Sequence, residues 1–223
     1  MKAIIPVAGI GSRLRPHTHT QPKALVPVAG KPILSHIVDS LIDANVKDFI
    51  FVIGYLGDKI EEYIRSKYKD SIKACFVLQE PREGTGHAVW LCRDKINADD
   101  DLLIALGDTI FDIDLRDIIT HPFSSIGVKK VDDPRNFGVV ELKDDGFISN
   151  MIEKPPIPKS NLALVGIYRI KESQLLIESL EKNIKENKLF QCAHYDEVSF
   201  QKSVVYGSRP HVWPALQGKG YLP

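Results

Sequence analysis

Four apolar runs, at residues 2–7, 49–53, 73–78 and 102–106, alternate with stretches whose apolar side chains return at helical spacing. Over residues 33–44 the apolar positions are Ile33, Ile37, Leu41 and Ala44, with Asp39, Ser40 and Asp43 among the others. Residues 58–67 and 85–96 read as further helices. Strand and helix in this alternation imply an α/β fold, a mainly parallel sheet with helices on both faces.

After about residue 123 the texture changes. Residues 125–131, 137–142 and 147–152 are short strands, the last two joined by an Asp144-Asp145-Gly146 hairpin turn. A further strand at 162–170 and a helix at 173–184 follow. The stretch from Phe190 to Pro223 scatters aromatics and prolines without a period, and only a strand near 203–206 is expected there.

Lysine plus arginine balances aspartate plus glutamate at 29 each, so no global field draws the chain to nucleic acid or an anionic membrane. Any affinity for phosphate must be local. The N-terminal Met1-Lys2-Ala3-Ile4-Ile5-Pro6 enters a strand directly and lacks the features of a signal peptide. Cys75, Cys92 and Cys192 form neither a disulfide framework nor a zinc spacing, which fits a reduced, cytoplasmic protein.

The loop after the first strand reads Val7-Ala8-Gly9-Ile10-Gly11-Ser12-Arg13-Leu14-Arg15-Pro16. Glycines let main-chain N–H groups approach a phosphate, and Arg13 adds a planar, permanently charged donor. Ten residues on, Lys23 is bracketed by Pro22 and Pro27, which stiffen its setting. A glycine pair alone would suit any tight turn; joined to Arg13 and Lys23 it suits a phosphate site. Leu14 stands where a dinucleotide fingerprint needs its third glycine, and no Gly-Lys-Ser/Thr is present, so both common phosphate-loop patterns are disfavoured, and a nicotinamide-dependent oxidoreductase with them. By residue type alone, Gln79 also reads as a solvent-facing loop residue, Asp108 as a turn or cap, and Glu153-Lys154 as a surface charge pair.

The segments Gly9-x-Gly11-x-Arg13-x-x-Pro16, Pro22-Lys23-x-x-x-Pro27 and Gly30-Lys31-Pro32 are similar to the signature of the nucleotidyltransferases that make nucleoside-diphosphate sugars. That family includes glucose-1-phosphate thymidylyl- and uridylyltransferases and mannose-1-phosphate guanylyltransferases. The resemblance runs from residue 2 to about 187 and implies a Rossmann-like core, a small strand-rich sugar-binding part, and a site over the carboxyl ends of the strands. It implies that the backbone of Val7, Ala8, Gly9 and Gly11 holds the nucleotide, while Arg13 and Lys23 offset charge on the α-phosphate and the departing pyrophosphate. Gln79 resembles the family's base-reading glutamine, with Gly84 against the base. Asp108 matches its metal-binding aspartate, suited to Mg2+. Gly138 and the pair Glu153-Lys154 resemble the sugar-phosphate half, Glu153 accepting from sugar hydroxyls and Lys154 pairing with the phosphate.

The implied reaction is in-line attack of a sugar 1-phosphate on the α-phosphorus of a triphosphate, with UTP or dTTP and glucose 1-phosphate favoured. It needs no protein nucleophile. Homo-oligomers are common in the family. Residues 1–188 form the expected nucleotidyltransferase domain, and 189–223 depart from the pattern as a tail. Family members supply a second metal-binding aspartate there, typically after a tryptophan. Here Trp213 is followed by Pro214, and Asp196 is the only aspartate of the tail. A divergent end or a shifted frame or truncation are the two expectations. The missing carboxylate leaves open a nucleotide-binding or regulatory homologue with weak or no catalysis.

Overall fold

The structure, a computed structural model, describes residues 1–111 and 114–185 together with the backbone of 204–207. In chain order the strands are β1 (Lys2–Pro6), β2 (Pro27–Val28), β3 (Lys31–Pro32), β4 (Asp48–Ile53), β5 (Lys73–Leu78), β6 (Leu102–Ala105), β7 (Ser125–Lys130), β8 (Gly138–Leu142), β9 (Ile148–Glu153), β10 (Leu162–Ile170) and β11 (Val204–Gly207). The helices are α1 (Ile33–Asp43), α2 (Gly57–Lys67), α3 (Thr85–Leu91), α4 (Leu115–Thr120) and α5 (Ser173–Lys185).

One nine-stranded sheet runs in the order β11-β7-β10-β6-β1-β4-β5, with β8 hydrogen-bonded to β10 and β9 to β8. β1 pairs in parallel with β4 and β6, and β4 with β5. β10 is antiparallel to β6, β7 and β8. All strands of the sheet except β9 and β10 therefore point the same way. The expected α/β architecture is present, and the strand-rich second half continues the same sheet.

The core explains why the first strands read as unbroken apolar runs. Ala3 and Ile5 pack on one face and Ile4 on the other; Phe49 and Phe51 alternate likewise with Ile50 and Val52, and Leu103 and Ala105 with Leu102 and Ile104. A strand buried on both faces has no polar side to alternate. Leu34, Ile37 and Leu41 of α1, Ile60 and Ile64 of α2, and Leu115 and Ile118 of α4 cover the first face. Ala88 and Val89 of α3, with Leu176 and Leu180 of α5, cover the second.

Some element boundaries differ from the sequence reading. The helix expected over 85–96 stops at Leu91 and passes into a 3-10 turn over Arg93–Lys95, a tightening frequent at helix ends. α4 was not anticipated; Asp114 caps it by accepting from the Arg116 N–H at 3.0 Å. The 144–146 turn forms, with Gly146 at φ 83 and the Lys143 N–H donating to the Phe147 carbonyl at 2.8 Å. β11 forms at Val204–Gly207, parallel to β7. Cys192, Asp196 and Trp213 lie outside the described residues. Cys75 and Cys92 are free thiols, and burial pushes Cys92 up to about 12, leaving it a packing residue. Among the described residues no helix is long and apolar enough to cross a membrane.

The reversed strand β10 is pinned where it meets the start of β6. Arg169 is buried, and its guanidinium donates to Asp101 Oδ2 at 2.7 Å and to the Phe123 carbonyl at 3.2 Å. Removing Asp101 leaves a buried charge with carbonyl partners only. Asp101→Ala is expected to lower stability by about 3 kcal/mol in urea unfolding, and a loss under about 1 kcal/mol would contradict the pinning role.

Candidate active site

The carboxyl ends of β1, β4 and β6 converge so closely that positions 54 and 107 have no room for a side chain. A Cβ on Gly107 would lie 2.2 Å from Val7 Cγ1 and 2.8 Å from the Pro6 carbonyl oxygen; one on Gly54 would lie 2.8 Å from Ala8 Cβ. Val7 and Gly107 are tied into this junction by N–H bonds to the carbonyls of Val52 (2.8 Å) and Pro6 (3.2 Å). Above it opens a cavity of about 340 Å3, within the size range of small-molecule sites. Its walls are Val7, Ala8 and Gly9 after β1, Lys23 and Ala24 from the long loop, Gln79, Arg82, Gly84, Thr85 and Ala88 around the start of α3, and Leu106, Gly107 and Asp108 after β6. Ligands of open α/β sheets bind at this end.

The loop between β1 and β2 has no ladder and is built from tight turns over Ser12–Leu14, His17–His19 and Lys23–Leu25. Gly11 has φ 66, and a Cβ there would lie 2.9 Å from Lys23 Cβ and 3.0 Å from Thr18 Cγ2. Thr18 is buried and donates its hydroxyl to the Gly11 carbonyl at 2.9 Å. The sequence reading missed Thr18, whose only signal was a hydroxyl in a turn-rich segment. Arg13 is exposed, and among the described residues nothing pairs with its guanidinium. Lys23 reaches across the cavity to Asp108, Nζ to Oδ2 at 2.6 Å.

Gln79 is 4% exposed, which rules out the solvent-facing alternative. Its amide donates through Nε2 to the Gly84 carbonyl at 2.9 Å, and its backbone N–H to Ile53 at 2.8 Å. Because its partner there is a carbonyl, the nitrogen must face Gly84, and Oε1 is left as the free acceptor. Arg82, which the sequence reading passed over, is exposed on the same wall.

Of the residues singled out from sequence, Val7, Ala8, Gly9, Lys23, Gln79, Gly84 and Asp108 share the cavity. Gly11 and Arg13 lie on the bordering loop. Gly138, Glu153 and Lys154 sit outside the cavity, on the β8–β9 hairpin, where Gly138 and Glu153 are register partners. A Cβ on Gly138 would meet Leu164 at 2.6 Å and Glu153 Oε2 at 3.2 Å, so glycine keeps the carboxylate close to the strand. Lys154 has a left-handed φ of 46, and its Nζ lies 3.3 Å from Glu153 Oε1. β10 joins the two regions: Leu164 packs on Gly138, and Gly166 accepts from the N–H of Leu106 at 2.8 Å. Leu164 and Gly166 are two residues apart, a chain length of at most about 7 Å, so the hairpin flanks the cavity.

The nucleotidyl transferase family pattern matches residues 2–201. The chain belongs to this family. It is 41% identical over 182 residues to the bifunctional protein GlmU of Methanocaldococcus jannaschii, covering 82% of this chain and 42% of that protein. It thus spans about two fifths of such a relative's length. A glucose-1-phosphate thymidylyltransferase of Streptomyces griseus is 36% identical over 173 residues, 75% of this chain and 48% of the relative. The UTP–glucose-1-phosphate uridylyltransferase AglF of Haloferax volcanii is 35% identical over 175 residues, 75% of this chain and 71% of the relative. A solved UDP-glucose pyrophosphorylase in complex with UDP-glucose superposes with a TM-score of 0.78 at 22% identity, over 93% of this chain and 91% of that one, which shows the shared fold.

The glycines of this chain make contrasting expectations. Gly107→Ala should cost about 1–3 kcal/mol through overpacking, because its Cβ meets backbone and a β-branched side chain. Gly9→Ala, whose Cβ would meet nothing within 4 Å, should leave stability nearly unchanged. Equal unfolding midpoints for the two variants would contradict the packed-junction account.

Proposed function

We propose that this nucleotidyltransferase moves a nucleoside monophosphate from UTP or dTTP to a sugar 1-phosphate, glucose 1-phosphate being favoured, releasing pyrophosphate and forming a nucleoside-diphosphate sugar. The observation that carries the reading is the single cavity joining the backbone of Val7, Ala8 and Gly9 to Lys23, Asp108 and the Gln79–Gly84 pair. The similarity to a glucose-1-phosphate thymidylyltransferase and a UTP–glucose-1-phosphate uridylyltransferase supports the same substrates.

In this reading the triphosphate lies over Gly9 and Gly11, whose backbone approaches its oxygens, with the base against Gly84. Gln79 Oε1 accepts the N3–H of a uracil or thymine. Lys23 leaves Asp108 for the α-phosphate, and Arg13 receives the β- and γ-phosphates. That exchange is inexpensive: a part-exposed ion pair is worth about 0–1 kcal/mol, whereas hydrogen bonds to charged groups contribute about 1.5–3 kcal/mol. Glu153 accepts from sugar hydroxyls and Lys154 holds the sugar's phosphate. An oxygen of that phosphate attacks the α-phosphorus in line as the bond to pyrophosphate breaks, and the fixed charges stabilise the charge that moves outward.

Asp108 is a part-exposed carboxylate at the cavity wall, and among the described residues no group of three or more His, Cys, Asp or Glu converges on a metal position. This donor set fits Mg2+, which keeps its waters and takes few protein ligands beside substrate phosphates. Bound there, Mg2+ would supply charge neutralisation at the triphosphate. A balanced net charge and the family's habits support a cytoplasmic homo-oligomer acting on small molecules, without nucleic-acid or membrane partners.

The test is pyrophosphate release with Mg2+ across a panel of triphosphates and sugar 1-phosphates. Turnover is expected with UTP or dTTP and glucose 1-phosphate. Arg13→Ala and Asp108→Ala should each lower kcat by about 10²–10³ at unchanged unfolding midpoint. Triphosphate binding without release from any pair would replace this reading with the non-catalytic, nucleotide-binding one.

A further inference from the structure

The loop that carries Gly9, Gly11 and Arg13 has little packing of its own. Of residues 12–21, only Thr18 is buried. Two side chains from elsewhere in the fold reach it. The Tyr55 hydroxyl donates to the carbonyl of His19 at 3.1 Å, and the Lys59 ammonium donates to the carbonyl of Thr20 at 2.7 Å. Tyr55 follows β4 after Gly54, and Lys59 lies in the first turn of α2, so both donors stand on the packed sheet-and-helix layer. Leu56, between them, takes a left-handed φ of 54, a conformation uncommon for a residue other than glycine, where the chain turns from β4 into α2.

The two carbonyls they hold are consecutive and sit at a junction. On one side is Thr18, whose hydroxyl holds Gly11; on the other is Pro22, followed by Lys23. Neither Tyr55 nor Lys59 lines the cavity.

We infer that Tyr55 and Lys59 are positioning residues for the triphosphate-binding loop. Acting through the carbonyls of His19 and Thr20, they set the Gly9–Arg13 segment and Lys23 in one geometry before the nucleotide arrives. This rests on the proposed nucleotidyl transfer. A binding loop ordered in advance loses less entropy on binding, so releasing it weakens the triphosphate without touching the sugar phosphate.

The experiment compares the unaltered protein with the double variant Tyr55→Phe/Lys59→Met and with Lys59→Arg, which keeps a donor at that position. A fluorescent UTP analogue with Mg2+ gives the dissociation constant, and amide hydrogen exchange reads residues 9–22. The double variant should bind the analogue about ten-fold more weakly, as two hydrogen bonds of ordinary net strength would require. It should also raise KM for the triphosphate in parallel and speed exchange in the loop. KM for the sugar 1-phosphate and the unfolding midpoint should stay unchanged, and Lys59→Arg should keep most of the affinity. Unaltered binding and exchange in the double variant would overturn the inference, as would weakened use of both substrates with a lowered midpoint. Absence of analogue binding by the unaltered protein would overturn the nucleotidyl-transfer reading and this inference with it.

Discussion

The closeness of β1, β4 and β6 at their carboxyl ends governs the rest of the site. Gly107 packs against Val7 and Pro6, and Gly54 against Ala8, so the ends of β4 and β6 have room for glycine only beside the side chains that follow β1. The residues that follow β1, β5 and β6 line the cavity beside this junction. The same packing sets the distance from Lys23 to Asp108, because Asp108 follows Gly107 directly. Widening the junction by one methyl group would move the carboxylate relative to the loop that faces it.

Local charge replaces global charge. The chain is neutral overall, yet Arg13, Lys23 and Arg82 stand on or beside one cavity, with Asp108 as the carboxylate on its wall. Lys23 and Asp108 neutralise each other across the space, while the exposed Arg13 guanidinium is unpaired among the described residues.

The architecture was legible because its signals were local. The apolar runs and helical periods located the first four long strands, α1, α2 and the start of α3, and the Asp144-Asp145-Gly146 turn located the hairpin. Of the candidate site, glycine chemistry and the proline-bracketed position pointed to Gly9 and Lys23, while Gln79 and Asp108 were singled out only through the family resemblance; the structure brings all four to one cavity. Burial was not legible: nothing in residue type distinguishes a solvent-facing Gln79 from one 4% exposed and bonded to Gly84. Contacts between distant segments were also hidden. Thr18, Tyr55 and Lys59 shape the loop through bonds to backbone carbonyls, which leave no pattern in the side chains they hold. α4 escaped because six residues are too few to show a period, although Asp114 and the Leu115–Ile118 spacing mark it in retrospect.

In the proposed reaction a triphosphate occupies the cavity lined by the residues that follow β1, β5 and β6. Amide chemical-shift mapping of the isotope-labelled chain during titration with UTP and Mg2+ tests it most directly. The account expects the amides of Ala8, Gly9, Gly11, Gly84 and Gly107 to shift together and saturably, while those of Lys2, Leu102 and Ser125 at the opposite end of the strands stay in place. Shifts that spare the Gly9–Gly11 loop, or gather at the opposite end, would contradict it.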